Sequence, residues 1–485
     1  MKNTIKCPVY TCAGEIPGET AIIQGGTIFS YGDLNKKIGQ VSVNFKKKGI
    51  KKGNIVAIVS RNNLEYIAVL FALFRTGAIA LPLNPKFPHN YIMEILNKTG
   101  AGFLLYSGDV NLSGSMKIPA FPFEDVTDHS ETKPVDTGVD MGIKDDSTII
   151  LTSGSVGGPK GALHTFGNHY FSALGSNENI LLNKGDKWLL TLPLYHIGGM
   201  AVLFRSFLSG STVVIHDHAE DTGEEIAKYG ITHASVVPLQ LRKITDYFEK
   251  KDISGCGSLK AVLTGGSYVS ESLIKEALKF NIPVYTTYGL TEMSSQVTTI
   301  PEPVRSHPEV NQGKLLRYRE LKIEKDGEIM VRGKTLFKGY IEGGGKIIKE
   351  LKNGWFPTGD MGGLKPDGSL LITGRKDNMF ISGGENIYPE EIERELLNIP
   401  GLEEAIVVCI KDKKYEERPV AFINMKAGGD KTKEEIVKLL RSKLPPYKVP
   451  DRFFKWPSEP GESLKTSRSF FKKLFYEKNM PGEIL

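Results

Sequence analysis

Cysteine is scarce in this chain, with four residues among 485 and a mass of 53.5 kDa, too few for a disulfide scaffold. Cys7 and Cys12 have four residues between them and no His/Cys pair follows, so a structural zinc site is not expected. Cys256 and Cys409 read as small apolar residues, and all four as free thiols of an intracellular protein. Long hydrophobic runs are missing too. The longest, Tyr66 to Leu83, is interrupted by Arg75 and reads as a buried helix followed by a strand; a membrane span needs about 20 apolar residues. Met1 to Pro17 carries breaks at Lys2, Lys6 and Glu15 and no apolar core of signal-peptide length. These absences predict a cytoplasmic chain with no membrane span. Charge of one sign is barely in excess: 62 Lys+Arg against 56 Asp+Glu leaves +6, which favours an anionic ligand without implying nucleic acid. No repeat of solenoid period is visible.

What is present is an ordinary globular composition, 40% hydrophobic and 24% charged. At roughly 150 residues per domain the length suggests about two to four domains or subdomains. Short β-branched runs alternate with amphipathic stretches. Asn54–Ser60, Ala78–Leu83, Trp188–Leu192, Thr212–Ile215, Ala234–Val237 and Ala261–Leu263 read as strands. Asn63–Phe74, a segment near Gly199–Leu208, Leu239–Glu249 and Glu271–Lys279 read as helices between them. That rhythm predicts parallel sheets covered by helices. Asn111–Asp146, rich in Ser, Asp, Thr and Pro, reads as a long surface connection with a strand or two. From about Gly313 the texture turns to short strands, Glu320–Glu324, Glu328–Arg332 and Ser369–Ile372, joined by Asp-Gly turns as in a small barrel or meander. A last α+β unit begins near Arg375, with helices at Pro389–Asn398 and Lys433–Lys443, strands at Glu404–Ile410 and Glu417–Met425, and a basic tail.

Four segments carry chemistry. Thr152-Ser153-Gly154-Ser155-Val156-Gly157-Gly158-Pro159-Lys160-Gly161 follows the strand Ser147–Leu151. Glycines and hydroxyls give a backbone able to wrap phosphate oxygens, and Lys160 adds a point charge. The register of a P-loop fails, because Pro159 and Gly161 stand where that motif needs Gly and Ser/Thr. Thr286-Thr287-Tyr288-Gly289-Leu290-Thr291-Glu292 offers a ring to stack on a base, hydroxyls for phosphate and a carboxylate for Mg²⁺. In Trp355-Phe356-Pro357-Thr358-Gly359-Asp360 an acid in a tight turn can accept from both ribose hydroxyls. Gly374-Arg375-Lys376-Asp377-Asn378, followed by Ile381-Ser382-Gly383-Gly384-Glu385-Asn386-Ile387-Tyr388-Pro389, sits where the texture changes, as a hinge would.

In this order and spacing the four resemble the adenylate-forming enzymes: acyl-CoA synthetases, peptide-synthetase adenylation domains and luciferases. The resemblance spans essentially the whole chain. It implies an α/β fold with a large N-terminal domain, two βα-sheet subdomains plus a small β-barrel at 1–376, and a small mobile α+β C-terminal domain at 377–485 pivoting at Asp377. It implies ATP, Mg²⁺ and coenzyme A as the ligands and a small-molecule carboxylic acid as the substrate, with self-association into a homo-oligomer left open. By the same resemblance Thr152, Ser153, Gly154, Ser155, Gly157 and Lys160 close over the β- and γ-phosphates, and Gly265-Gly266-Ser267 flanks the adenine. Tyr288, with Thr287 and Gly289 beside it, stacks on the base. Thr291 meets the α-phosphate, Glu292 the Mg²⁺, and Asp360 the ribose with Arg375 as its neighbour. Gly383 and Gly384 belong to the segment after the hinge. Leu192-Pro193-Leu194-Tyr195-His196 resembles the motif whose His lies at the acyl pocket, and Ser294, Ser295 and Gln296 lie in a pocket-lining segment. Lys465-Thr466-Ser467-Arg468 matches a C-terminal Lys-x-x-Arg motif whose lysine bridges the substrate carboxylate and the α-phosphate.

Two positions depart from the family's pattern. Val156 replaces a hydroxyl residue in the phosphate loop, and Leu464 replaces the glycine before the lysine, where a left-handed backbone is hard for leucine. They keep open a relative that binds ligands without turnover. Within the family, the wording at 162–169, 192–199, 292–296, 319–323 and 382–388 resembles a branch acting on an aromatic acid with two carboxylates. Other aryl- or fatty-acyl-CoA ligases and a carrier-protein-loading enzyme are the alternatives. A spare carboxylate needs a cation or donors in the pocket. Arg205, on the helix after His196, is expected to face solvent, leaving the serines and Gln296 to serve.

Overall fold

The computed structural model describes residues 3–110, 116–128, 139–152, 160–305, 311–343, 346–348, 350–426, 431–457 and 468–477. Two large sheets dominate. The first has eight strands in the order Lys346–Ile348, Gly339–Glu342, Lys160–Thr165, Asp146–Thr152, Ile79–Leu83, Ile55–Val59, Phe103–Tyr106, Ala120–Pro122. Ile55–Val59 is parallel to both of its neighbours, while Lys160–Thr165 turns back antiparallel on Asp146–Thr152. The second has nine strands, with six parallel ones (Val284–Leu290, Ala261–Thr264, His233–Val236, Lys187–Leu190, Thr212–Ile215, Thr20–Gln24) at its centre.

The sheets share a core through helices buried between them. Leu64–Thr76 shows why: Leu64 and every residue from Tyr66 to Arg75 are buried, so it reads as apolar all round. Asn63 starts it by accepting the Tyr66 N–H at 2.7 Å, and Gly77 ends it at φ 74°. Its Phe71 ring lies 5.9 Å from Phe204 and 5.2 Å from Phe207 on the helix Ile197–Ser209.

The β-rich part is a four-stranded meander of Arg319–Ile323, Glu328–Gly333, Phe356–Leu364 and Leu370–Arg375, turned at Gly327 (φ 88°) and Gly368 (φ 82°). The connection after Asn111 contributes Ala120–Pro122, a short helix Glu124–Thr127 and Asp140–Gly142, which pairs with Thr4–Lys6. The last unit is a five-stranded sheet built on the long hairpin Leu402–Asp412 and Glu416–Met425. Pro389–Leu397 and Lys433–Arg441 supply Ile392, Leu396, Ile436 and Leu440 to one core, and Phe471 of Arg468–Glu477 packs with Phe422 and Phe454 in another.

In both large sheets the chemistry-bearing segments lie just beyond carboxyl ends of strands, where the crevice of an open α/β sheet forms. In the chain the glycine-rich segment follows Asp146–Thr152, Gly265 follows Ala261–Thr264, and the His196 segment follows Lys187–Leu190.

Candidate active site

The strand Val284–Leu290 runs on through the Thr286–Gly289 motif, and a 3₁₀ turn at Thr291–Met293 leads into its antiparallel partner Ser295–Thr299. Close approach makes this possible: a Cβ on Gly289 would lie 2.3 Å from Ser295 O, and one on Gly265 2.6 Å from Thr287 Cγ2. Gly266 takes φ 83°, and Ser267 beside it is exposed. The Thr287 hydroxyl is turned into the sheet, donating to Thr298 O at 2.6 Å.

Three predicted residues form one cluster. Tyr288 donates its hydroxyl to Asp360 Oδ2 at 2.6 Å, and Arg375 Nη1 stands 3.0 Å from Asp360 Oδ1. The meander sets this, because Asp360 and Arg375 are directly opposed across their strands. Burial and the Asp360 charge push the Tyr288 phenol well above its ordinary value, so it stays a donor. Arg375 Nη2 also approaches Asp377 Oδ2 at 3.8 Å, in the turn Lys376–Asn378.

A second cluster gathers around Glu292. The Thr291 carbonyl meets His164 Nε2 at 2.7 Å, the Glu292 carbonyl accepts Phe337 N–H at 2.8 Å, and the Tyr340 hydroxyl donates to the Glu292 carboxylate. Lys160 Nζ sits 5.0 Å over the Tyr340 ring and 3.9 Å from Glu350. Thr152 closes the base of the loop by donating to Lys160 O at 3.4 Å. Ser153, Gly154, Ser155, Val156, Gly157 and, at the other end of the chain, Leu464 and Lys465 lie outside the described residues. Glu292 fits Mg²⁺ as a hard oxygen donor. Among the described residues no three His, Cys, Asp or Glu converge on a metal-sized site. An ion here would draw its other ligands from nucleotide phosphates and water, the habit of Mg²⁺.

The third cluster overturns one expectation. Arg205 does not face solvent: it is 1% exposed, its guanidinium lies 5.4 Å from the Trp188 ring centre, and Nη2 donates to the Ser295 hydroxyl at 3.1 Å. The helix Ile197–Ser209 is covered on both flanks, so even its arginine is interior. No carboxylate of the described residues pairs with it. Burial lowers its pKa to about 9, and does the same to Arg319, where the Arg205 charge adds to the effect. Arg319 donates to Gln296 O at 2.6 Å and to Ser172 Oγ at 2.9 Å. Ser294 and Gln296 are committed elsewhere: Ser294 Oγ donates to Thr335 O at 3.0 Å, and Gln296 bridges Ser176 and Thr299, both at 2.6 Å. Ser294 and Ser295 hold φ of 56° and 103°, strained for residues with a side chain and frequent at ligand sites. His196 caps Ile197–Ser209 at the surface with its ring 4.7 Å from Tyr195.

Gly383 (φ 58°) and Gly384 (φ 85°) make the two-residue turn between Phe380–Ser382 and Glu385–Ile387, where positive φ at both positions suits a type I′ hairpin. Asn378 Nδ2 donates to Glu390, which also receives Arg468 Nη2 at 2.9 Å; Arg468 further pairs with Glu393. The sequence reading missed Tyr340, His164 and Arg319. Tyr340 and His164 gain their roles from strand register and long-range packing, with no local signal. Arg319 also carries no local signal, since Glu320 and Lys322 share its strand.

Residues 10–341 match the AMP-binding enzyme family, and residues 391–460 match the AMP-binding enzyme C-terminal domain. The chain is 34% identical to the 2-succinylbenzoate–CoA ligase of Bacillus licheniformis over 450 residues, covering 90% of this chain and 93% of that one. It is 33% identical to the 2-succinylbenzoate–CoA ligase of Bacillus cereus over 449 residues, covering 90% and 91%. Among solved structures it resembles the Bacillus subtilis o-succinylbenzoate CoA synthetase in complex with the acyl-adenylate intermediate OSB-AMP, with a TM-score of 0.86, 30% identity and coverage of 97% and 99%. The same Bacillus subtilis enzyme in complex with ATP and magnesium ion matches with a TM-score of 0.83 and 30% identity over 93% and 96%.

Proposed function

The chain belongs to the AMP-binding enzyme family, and we propose that it is an acid–thiol ligase that converts 2-succinylbenzoate to its CoA thioester with cleavage of ATP to AMP and pyrophosphate, as a step of menaquinone synthesis in the cytoplasm. The single observation that carries the choice of acid is Arg205. A buried guanidinium with no carboxylate beside it is costly unless a ligand brings the anion. It lies on the Ser295 hydroxyl, three residues along the chain from Glu292. The ring carboxylate of 2-succinylbenzoate supplies that charge, and the succinyl carboxylate is left to react. An apolar fatty acid would leave the cation unpaired.

A carboxylate is a poor acylating agent because its leaving group is oxide. Attack by its oxygen on the α-phosphate of ATP forms the acyl–O–P bond, breaks the bond to the β-phosphate and releases pyrophosphate. The CoA thiol then attacks the acyl carbon, loses its proton, and AMP leaves. Neither half needs a nucleophilic side chain, only in-line positioning and placed charge. In this reading Thr152–Lys160 holds the outer phosphates and Thr291 the α-phosphate. Tyr288 flanks the base and Asp360, oriented by Tyr288 and Arg375, holds the ribose. His196 lies at the mouth of the acyl pocket. Glu292 holds Mg²⁺, which offsets phosphate charge when bound. Lys465 bridges acid and phosphate in the first half. The two halves need different surroundings, so a lid at 377–485, turning at Asp377 against 1–376, exchanges them. Self-association belongs to the same proposal only as a point to be read from sedimentation.

The test is a panel of acids with ATP, Mg²⁺ and CoA, scored by product mass and pyrophosphate release. 2-Succinylbenzoate is expected to turn over best. Better turnover of a medium-chain fatty acid, or no product with free CoA as acceptor, overturns the assignment.

A further inference from the structure

We propose that Tyr340 is a positioning residue for the metal-ligand carboxylate, holding Glu292 in place. The proposal rests on the reading of Glu292 as the Mg²⁺ ligand.

Three segments meet at this side chain. The strand Gly339–Glu342 pairs with Lys160–Thr165 so that Tyr340 opposes Ala162, directly beside the exit of the phosphate loop. The ring is 8% exposed and is fixed edge-on by Phe337 and Phe356, with centres 4.8 and 6.5 Å away. Its hydroxyl donates to Glu292 Oε1. The Glu292 carbonyl is tied to the same stretch through Phe337 N–H at 2.8 Å. The acid is therefore held at backbone and side chain by residues 337–340, with one oxygen occupied by the phenol and the other left for a hard cation.

The ring face does a second job. Lys160 Nζ lies 5.0 Å over it, a cation–π distance. The ammonium thus rests on the ring and reaches Glu350 at 3.9 Å.

Tyr340→Phe keeps the ring and removes only the hydroxyl. Binding of Mn²⁺ to the enzyme with α,β-methylene-ATP is read by the loss of free Mn²⁺ signal in electron paramagnetic resonance, and binding of the analogue without metal by calorimetry. Removing the outer partner of a metal ligand is expected to weaken Mn²⁺ binding about 10- to 100-fold. Metal-free nucleotide binding should match wild type. Wild-type Mn²⁺ affinity in Y340F, or an equal loss of metal-free nucleotide binding, overturns the proposal. Glu292→Gln separates the two layers: if E292Q weakens Mn²⁺ binding and Y340F does not, only the role of Tyr340 falls. If E292Q binds Mn²⁺ as wild type does, the Glu292 reading falls and takes the proposal with it.

Discussion

Arg205 and Ser295 lie 90 positions apart in sequence and meet inside the protein, the guanidinium donating to the hydroxyl at 3.1 Å. The contact joins a helix that should be purely apolar to a turn that should be relaxed. The helix holds an arginine with no partner acid among the described residues, and the turn holds Ser295 at φ 103°.

The first prediction follows from that contact. Arg205→Met fills similar space and removes an uncompensated buried cation, which is neutral or stabilising for the fold. A pocket built for a polar group rejects a ligand lacking it far more strongly than an apolar pocket senses a lost methylene. The expected result is a fall in kcat/KM for 2-succinylbenzoate on the order of 100-fold or more. The value for 4-phenyl-4-oxobutanoate, which lacks the ring carboxylate, should change little, and Tm should hold. Equal kcat/KM for the two acids in the wild type would remove Arg205 from the pocket.

Lys465→Ala should abolish acyl-adenylate formation and spare thioesterification of a supplied adenylate. Loss of a positioned charge at the reacting centre is worth several kcal/mol of transition-state stabilisation, roughly 10²–10³ in rate. Pyrophosphate release and adenylate consumption measure the halves separately. Equal loss in both would count against the role.

Asp377→Pro should slow the second half-reaction more than the first. Proline fixes φ near −65° and so freezes a pivot that must change. Single-turnover transfer to CoA, compared with pyrophosphate release, reads the split. Wild-type rates in both halves would show that the pivot lies elsewhere.

The legible parts of the sequence were those where local pattern and three-dimensional role coincide. The alternation of β-branched runs and helical stretches announced the two sheets, since periods of two and 3.6 depend on neighbours a few residues away. The Asp-Gly turns at 326 and 367 marked the meander because Gly327 and Gly368 need positive φ. Arg205 was misread for the converse reason. A charged residue on a helix usually marks its wet face, and only the second sheet, the Trp188 ring and the Ser295 turn make this face dry. Tyr340 carries no motif of its own; one step in register between Gly339–Glu342 and Lys160–Thr165 would turn it to the other side of the sheet.

The last prediction concerns acid sensitivity. His164 is wholly buried behind Thr291, with Nε2 on the Thr291 carbonyl at 2.7 Å and the His169 ring centre 5.2 Å away. Burial lowers its pKa from the usual 6.5 to about 4, so the folded protein holds it neutral. Between those values the unfolded chain binds the extra proton and the folded one does not. Stability from this group is therefore complete above about pH 6.5 and is lost as pH falls towards 4. A shift of that size corresponds to about 3 kcal/mol over the window. His164→Gln keeps a donor for the Thr291 carbonyl and removes the titration. Urea unfolding of both proteins at pH 7.5 and pH 5 should show a smaller acid loss in H164Q. His169, also lowered by burial, and His233, lowered to about 4, supply the remaining slope in both. An unchanged loss in H164Q would mean that His164 protonates in the folded state, and that its bond to Thr291 survives the added charge.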